Sequence, residues 1–390
     1  MSEKSGHQSA SPQIPKHIKV LFNDYAADYG EPIYLPIPDP RDPDYHVLPI
    51  PFFELNIEAQ LFKGKKNANR MQFYPYVGLV SGGVPNAQAD FHKGLHLAVF
   101  GLPFCLDLYC HFQLLLSHPG VFRGVGDCEK EEVRVAWNNS SGSSQLLYFG
   151  PLEKHEMFGP VPRDPERKMA AIRLYHWAMR FVGFHELAHL ALGHVHLLQE
   201  DSGEARIEDN AQAYASETYT LVRRALEHQA DLHAFQRMAL TALIDSKRSG
   251  ARKDDLTIFF FEMMYAIMMI MRMWSRGRPL IIGGGVSAYP HPAVRFIGLR
   301  EASQAYFREL NIEDTDRNAI DEGIALALCE AALGDVALRC EHPSTEWLDN
   351  WDDLRDAFNL INGEYRGLEI SDRLSKHAFV DYFDALKFLS

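Results

Sequence analysis

The stretch Phe184-His185-Glu186-Leu187-Ala188-His189-Leu190-Ala191-Leu192-Gly193-His194 decides how the rest of the chain is read. It carries H-E-x-x-H inside a mostly apolar run. On an α-helix, residues four apart share a face, so the imidazoles of His185 and His189 converge and can bind one metal ion. Glu186 lies about 100° further round the helix. It is poorly placed there as a ligand of the same ion, but it can reach a water beside that ion. Two neutral imidazoles, one open coordination position and one carboxylate base make the chemistry of a zinc hydrolase.

The helix bearing this stretch has a clear start at Asp164-Pro165-Glu166: an N-cap, a proline at the first helical position and an acid in the first turn. The pattern runs on to about Gln199, with a break expected near Gly183. A second helix is expected from about Ser216 to Lys247. A third is Leu256 to Trp274, which is nearly long enough to span a bilayer but carries Glu262 and Arg272, both costly in lipid. A buried core helix is the better reading of it. Further helices are expected over Ala293–Glu309, Asp316–Leu338, Asp352–Phe358 and Arg373–Leu389.

The N-terminal part reads differently. Residues 1–16 have the composition of a disordered tail, and no apolar run there suggests a secretory signal. Glu31–Pro51 is proline-dense and reads as an extended strap. Phe53-Glu54-Leu55-Asn56-Ile57 alternates like a strand. Gly94–Leu116 is a long apolar run in which periodicity does not separate strand from helix. Val133 to Phe149, interrupted by NNSSGSS, reads as a β-hairpin. The expected fold class is therefore α+β: a tail over 1–16, a mixed strand-containing region over 17–160, and a mainly helical region over 161–390 in which the His185 helix packs on a second ligand-bearing helix.

A third ligand must come from elsewhere. In the metzincin pattern, Gly and His stand three and six residues after the second histidine; here those positions are Leu192 and Val195. On a continuing helix, His194 and His196 turn away from the His185/His189 face and read as polar helix-end residues. Glu227-His228-Gln229-Ala230-Asp231 is the better source. Glu227 and Asp231 are four apart and share one helix face. Glu227 suits a carboxylate ligand, and Asp231 suits a hydrogen-bond acceptor for the outer nitrogen of a metal-bound histidine.

H-E-x-x-H on one helix with E-x-x-A-D on the next resembles the gluzincin metallopeptidases. The form ending in Gly193-His194 is most similar to the minigluzincin, CaaX-prenyl and heat-shock peptidases. His291-Pro292-Ala293-Val294-Arg295 is similar to their H-P-x-x-R segment. The phage-exclusion Lit-type proteases are a cytosolic group within this resemblance. The likeness covers about 110 residues, from Phe184 to Arg295. It implies Zn2+ on His185, His189 and Glu227, with Glu186 as the base, Asp231 behind a ligand, and His291 or Arg295 at the oxyanion; Tyr289 is a further candidate there.

The totals agree with an intracellular enzyme acting on a protein or peptide. The chain has 390 residues, 46% hydrophobic and 23% charged, and a net charge of -13, which disfavours a general nucleic-acid binder. Five cysteines, with no C-x-x-C, fit reduced thiols in the cytoplasm. The expected function is a zinc endopeptidase, and the resemblance to the phage-exclusion proteases implies a toxin-like role in phage defence. The alternatives are a regulatory or interaction protein that keeps the fold, and a membrane-associated peptidase. Substrate, trigger and oligomeric state are not written in the sequence.

Overall fold

The computed structural model describes residues 14–35, 49–82, 87–132, 135–137, 146–148, 160–202, 206–208, 217–249, 253–275, 291–309, 312–338, 345–367 and 370–379. The chain is α+β, with a mixed sheet near the N-terminus followed by a largely helical body. The order is α1 (Lys16–Ala26), β1 (Pro32–Ile33), α2 (Pro49–Leu61), β2 (Pro75–Val80), β3 (Ala87–His92), β4 (Leu95–Gly101), α3 (Leu102–Leu116), β5 (Val135–Trp137), β6 (Leu146–Tyr148), α4 (Pro165–Ala191), α5 (His194–Ser202) and β7 (Arg206–Glu208). Then come α6 (Glu217–Ser249), α7 (Lys253–Ser275), α8 (Pro292–Glu309), α9 (Asp314–Ala337), α10 (Thr345–Asp349), α11 (Trp351–Gly367) and α12 (Ile370–His377).

The main sheet has the order β1-β2-β4-β3-β7. β2 and β4 are parallel and the other pairings are antiparallel. β3 and β4 form a hairpin closed by Lys93 and Gly94, both at positive φ (48° and 89°). That is the two-residue geometry whose twist matches the flanking strands. The apolar run Gly94–Leu116 thus resolves into β4 and then α3, with Pro103 in the first turn of the helix. The expected hairpin is present as β5 paired with β6; its turn, 138–145, lies outside the described residues.

Three expectations change. Phe53–Ile57 is not a strand but the middle of α2, where Phe52, Leu55 and Ala59 are buried at helical spacing. Tertiary burial overrode the short alternation. The strap is interrupted: Pro32–Ile33 forms β1, 36–48 lies outside the described residues, and Pro49 and Pro51 occupy the first turn of α2, where proline is tolerated. Asn56 on α2 bonds the backbone of Val77 through both its amide oxygen (3.1 Å) and its amide nitrogen (3.1 Å), fixing this helix to β2.

The third change concerns α4. It starts as expected, with Asp164 Oδ1 accepting from the backbone N–H groups of Glu166 (3.0 Å) and Arg167 (3.3 Å). It then runs unbroken through Gly183. That glycine is there for close packing, since a Cβ on it would stand 2.2 Å from Leu55 Cδ1. The break falls later, at Gly193, whose φ of +79° is left-handed. A side chain there would meet the His377 carbonyl carbon at 2.5 Å, so glycine serves both the turn and the contact.

α4 is buried almost all round from Trp177 to Ala191. It packs against α2, α3, α6, α7 and the face of β3 and β4. α7 is the apolar helix: it is long and apolar enough to cross a membrane, yet 78% of its apolar window is buried inside the protein. Glu262 and Arg272 within its apolar stretch are both paired, Glu262 with Arg173 through three contacts of 2.7–3.1 Å, and Arg272 with Asp335 at 3.2 Å. α9 covers it and α8 flanks it. Among the described cysteines, Cys105, Cys110, Cys128 and Cys329 are free thiols.

Candidate metal centre

α4 and α6 lie side by side, and three side chains meet between them. His185 and His189 stand one turn apart on α4, and Glu227 faces them from α6. All three are about 1% exposed. Their candidate ligand atoms lie within 4.8 Å of one another. His185 Nε2 is 3.0 Å from His189 Nε2 and 3.3 Å from Glu227 Oε2; His189 Nε2 is 3.6 Å from Glu227 Oε1. Bonds of about 2.0–2.1 Å in tetrahedral array put ligand atoms roughly 3.3 Å apart. The three distances bracket that value.

Two polar features mark the cluster. Glu227 Oε2 is buried without an aligned hydrogen-bond donor, its neighbour being His185 Nε2 at 3.3 Å. Two imidazole nitrogens face each other at 3.0 Å, a separation that two lone pairs tolerate only with a proton or a cation between them. The electrostatics follow suit. Burial pushes the His185 pKa down, but Asp231 and Glu227 outweigh it and hold the group well above its ordinary value. Burial, then the charge of His185, hold His189 well below its own. Once His185 gives up its proton, two imidazole nitrogens and a carboxylate make a set that could hold a metal ion.

Behind the ligands sits an ion pair. Asp231 is fully buried, with Oδ1 2.9 Å from His185 Nδ1. Arg295 on α8 grips the same carboxylate in bidentate fashion, Nε to Oδ2 at 2.6 Å and Nη2 to Oδ1 at 2.7 Å. Burial raises the Asp231 pKa, but Arg295 and His185 together hold it well below the usual carboxylate range. The Arg295 guanidinium also stacks over Trp274 at the end of α7, 4.8 Å from the ring centre, and its Nη2 comes within 4.0 Å of Glu227 Oε2.

The structure thus brings together His185, His189, Glu227, Asp231 and Arg295. Glu186 is buried on α4, next to His185 in the chain. His291 begins α8: its Nδ1 accepts from the backbone N–H of Ala293 at 3.2 Å, and its ring lies 6.2 Å from that of Trp347. Tyr289 and Gly283–Gly285 lie outside the described residues.

His194 and His196 depart from expectation. Both are buried, not at a polar helix end. The left-handed turn at Gly193 folds α5 back, so His194 Nδ1 reaches His189 Nδ1 at 2.9 Å and His194 Nε2 reaches Gln229 Oε1 at 2.9 Å. Burial lowers the His194 pKa to about 4. His196 instead meets His96 of β4, Nε2 to Nε2 at 3.0 Å, under the ring of Phe379. The signal that could have found His194 was Gly193 itself, a C-terminal glycine directly after the apolar run Leu190-Ala191-Leu192.

No protein-family model matches this chain, and no curated protein and no solved structure matches it either.

Proposed function

We propose that this protein is a zinc-dependent endopeptidase of the cytoplasm, similar in its site to the gluzincins and acting on a protein substrate in the manner of the phage-exclusion proteases. The observation that supports it is the meeting of His185, His189 and Glu227 across two helices, with a carboxylate, Glu186, beside the first ligand in the chain. Held by those three residues, zinc would supply Lewis acidity, polarising a carbonyl and lowering the pKa of water.

The chain's own residues do the rest. Glu186 takes a proton from the attacking water and passes it to the departing amine nitrogen. The Asp231 carboxylate, 2.9 Å from His185 Nδ1, favours a proton on that nitrogen and so leaves the Nε2 lone pair of the ring for the side of Glu227 and His189. Arg295 acts first through Asp231, keeping that carboxylate ionised in a buried setting. His291, one turn before Arg295 on α8, keeps the role of a donor to the developing oxyanion. The apolar helix α7 belongs to the body of the enzyme, and its burial supports this reading over that of a membrane-associated peptidase.

The test compares wild type with Glu186→Gln. Both should carry one zinc per chain by metal analysis. New protein N-termini should appear in cells expressing wild type and be absent with the variant. Cleavage that persists in Glu186→Gln overturns the mechanism, and a wild type without stoichiometric zinc overturns the metal.

A further inference from the structure

The two histidines of the ligand cluster are held from behind in different ways. His185 Nδ1 lies 2.9 Å from a carboxylate oxygen of Asp231, whose charge favours a proton on that nitrogen. His189 leans on another imidazole. Its Nδ1 lies 2.9 Å from Nδ1 of His194, and Nε2 of His194 lies 2.9 Å from Oε1 of Gln229. His194 is fully buried and has no carboxylate among these partners.

With the amide oxygen of Gln229 turned toward His194, counting protons along this chain places each hydrogen. A neutral imidazole has one N–H and one lone pair. The oxygen of Gln229 accepts, so His194 Nε2 carries the hydrogen. Nδ1 of His194 is then a lone pair, and it accepts from an N–H at Nδ1 of His189. Nε2 of His189 is left with its lone pair, and that is the atom facing His185 and Glu227. If the amide of Gln229 turned over and donated, each step would reverse. His194 would donate through Nδ1, and His189 would carry its hydrogen on Nε2, where it would block a metal.

We propose that Gln229 and His194 form a relay that sets the tautomer of His189, making both of them positioning residues for the metal centre. It rests on the reading of His185, His189 and Glu227 as zinc ligands. The relay is made possible by Gly193, which ends α4 and turns His194 back onto the outer face of His189. It also links the two helices of the site a second time: His194 follows α4, and Gln229 stands two residues past Glu227 on α6. The ligand face and the outer face of His189 are therefore both held by α6.

The experiment uses the full chain, with and without zinc. Long-range nitrogen–proton correlation spectra report which ring nitrogen carries the proton, and competition with a chromogenic chelator reports zinc affinity. Wild type without zinc should show His189 protonated at Nδ1. His194→Phe keeps an aromatic ring but removes the acceptor. It should lose that signature and bind zinc roughly 10–100-fold more weakly, the usual effect of removing such a partner. It should still bind one zinc at saturation. Gln229→Met, at a partly exposed position, should show a mixed tautomer and a smaller loss, and it decides the matter if His194→Phe does not fold. An unchanged His189 signal and zinc affinity within twofold of wild type in both variants overturns the relay. A wild type that binds no zinc overturns the metal reading instead, and the tautomer spectra still judge the relay.

Discussion

Replacing Asp231 by Asn tests how the site is held together. The change keeps the shape of the side chain and removes its charge. Arg295, about 5% exposed, would lose both of its short contacts to a carboxylate and face an amide that presents two N–H groups of its own. Removing one partner of a buried ion pair costs about 3–5 kcal/mol. The only other anion within reach of the guanidinium in this set is Glu227, whose Oε2 is 4.0 Å from Nη2. A shift of about 1 Å would make that contact a hydrogen bond. It would also draw a ligand out of the cluster, so the loss of zinc affinity should fall at the upper end of the roughly 10–100-fold expected for such partners.

Arg295→Met separates the two effects. It strands the carboxylate, so it also costs about 3–5 kcal/mol in stability. It leaves Asp231 beside His185 Nδ1, though without the cation that favours its ionised form, and leaves Glu227 in place, so zinc affinity should fall by less than in Asp231→Asn, where the charge is gone outright. In the double variant no buried charge of the pair remains. Its stability loss should be smaller than the two single losses added, by a coupling of about 0.5–3 kcal/mol. Urea unfolding of the metal-free proteins gives the cycle, and chelator competition gives the affinities. Additive stability losses would refute the pairing, and equal affinity losses in the two single variants would refute the separate role of Asp231.

Gly193→Ala should cost at least about 1–2 kcal/mol for the left-handed backbone alone, more for the clash with His377, and should weaken zinc binding by moving His194; metal affinity equal to wild type would refute the coupling. Arg167 is fully buried and donates to the carbonyls of Leu116, His118, Val121, Phe122 and Val125 at 2.7–3.1 Å, so Arg167→Met should lower stability by roughly 5 kcal/mol at about 1 kcal/mol per stranded acceptor, read by urea unfolding; a loss below about 1 kcal/mol would contradict this accounting. Burial lowers the pKa of His111 from 6.5 to about 4, so the unfolded chain binds the extra proton first; the stability this residue contributes is complete above pH 6.5 and is lost as pH falls toward 4, by about 3 kcal/mol. Unfolding of metal-free wild type and His111→Phe across that range checks it, and parallel curves would refute it.

What the sequence made legible was mostly local. The start of α4 follows from three adjacent residues, Asp164, Pro165 and Glu166, whose capping works over one turn. The pairing of His185 with His189, and of Glu227 with Asp231, follows from helix spacing alone. Their meeting across α4 and α6 was a further step, and there the order of the motifs carried information that no single motif held. What stayed hidden depended on distant neighbours. Phe53–Ile57 alternates like a strand, yet Leu55 is wanted at the bottom of a contact with Gly183, and that demand selects a helix. Gly183 looked like a break, but it is a point of close approach. Gly193 was the break, because His377, nearly two hundred residues on, occupies the space of its side chain. The bond of Arg295 to Asp231 and its place over Trp274 likewise depend on how α8 lies beside α6 and α7.

The same contrast explains why the site needs both helices. α4 supplies two rings that are good ligands only as neutral donors with their lone pairs turned inward. Nothing on α4 itself determines which way they turn, since Glu186 lies about 100° away round the helix. α6 supplies the three groups that decide it: Glu227 on the inner side, Asp231 behind His185 and, through His194, Gln229 behind His189. These stand at positions 227, 229 and 231, within about one turn of α6. Asp231 in turn stays ionised in a buried place because α8 brings Arg295. The short pattern H-E-x-x-H is therefore only half of a metal site. The part that turns two buried histidines into ligands is written about forty residues later, and its counter-charge more than sixty residues beyond that.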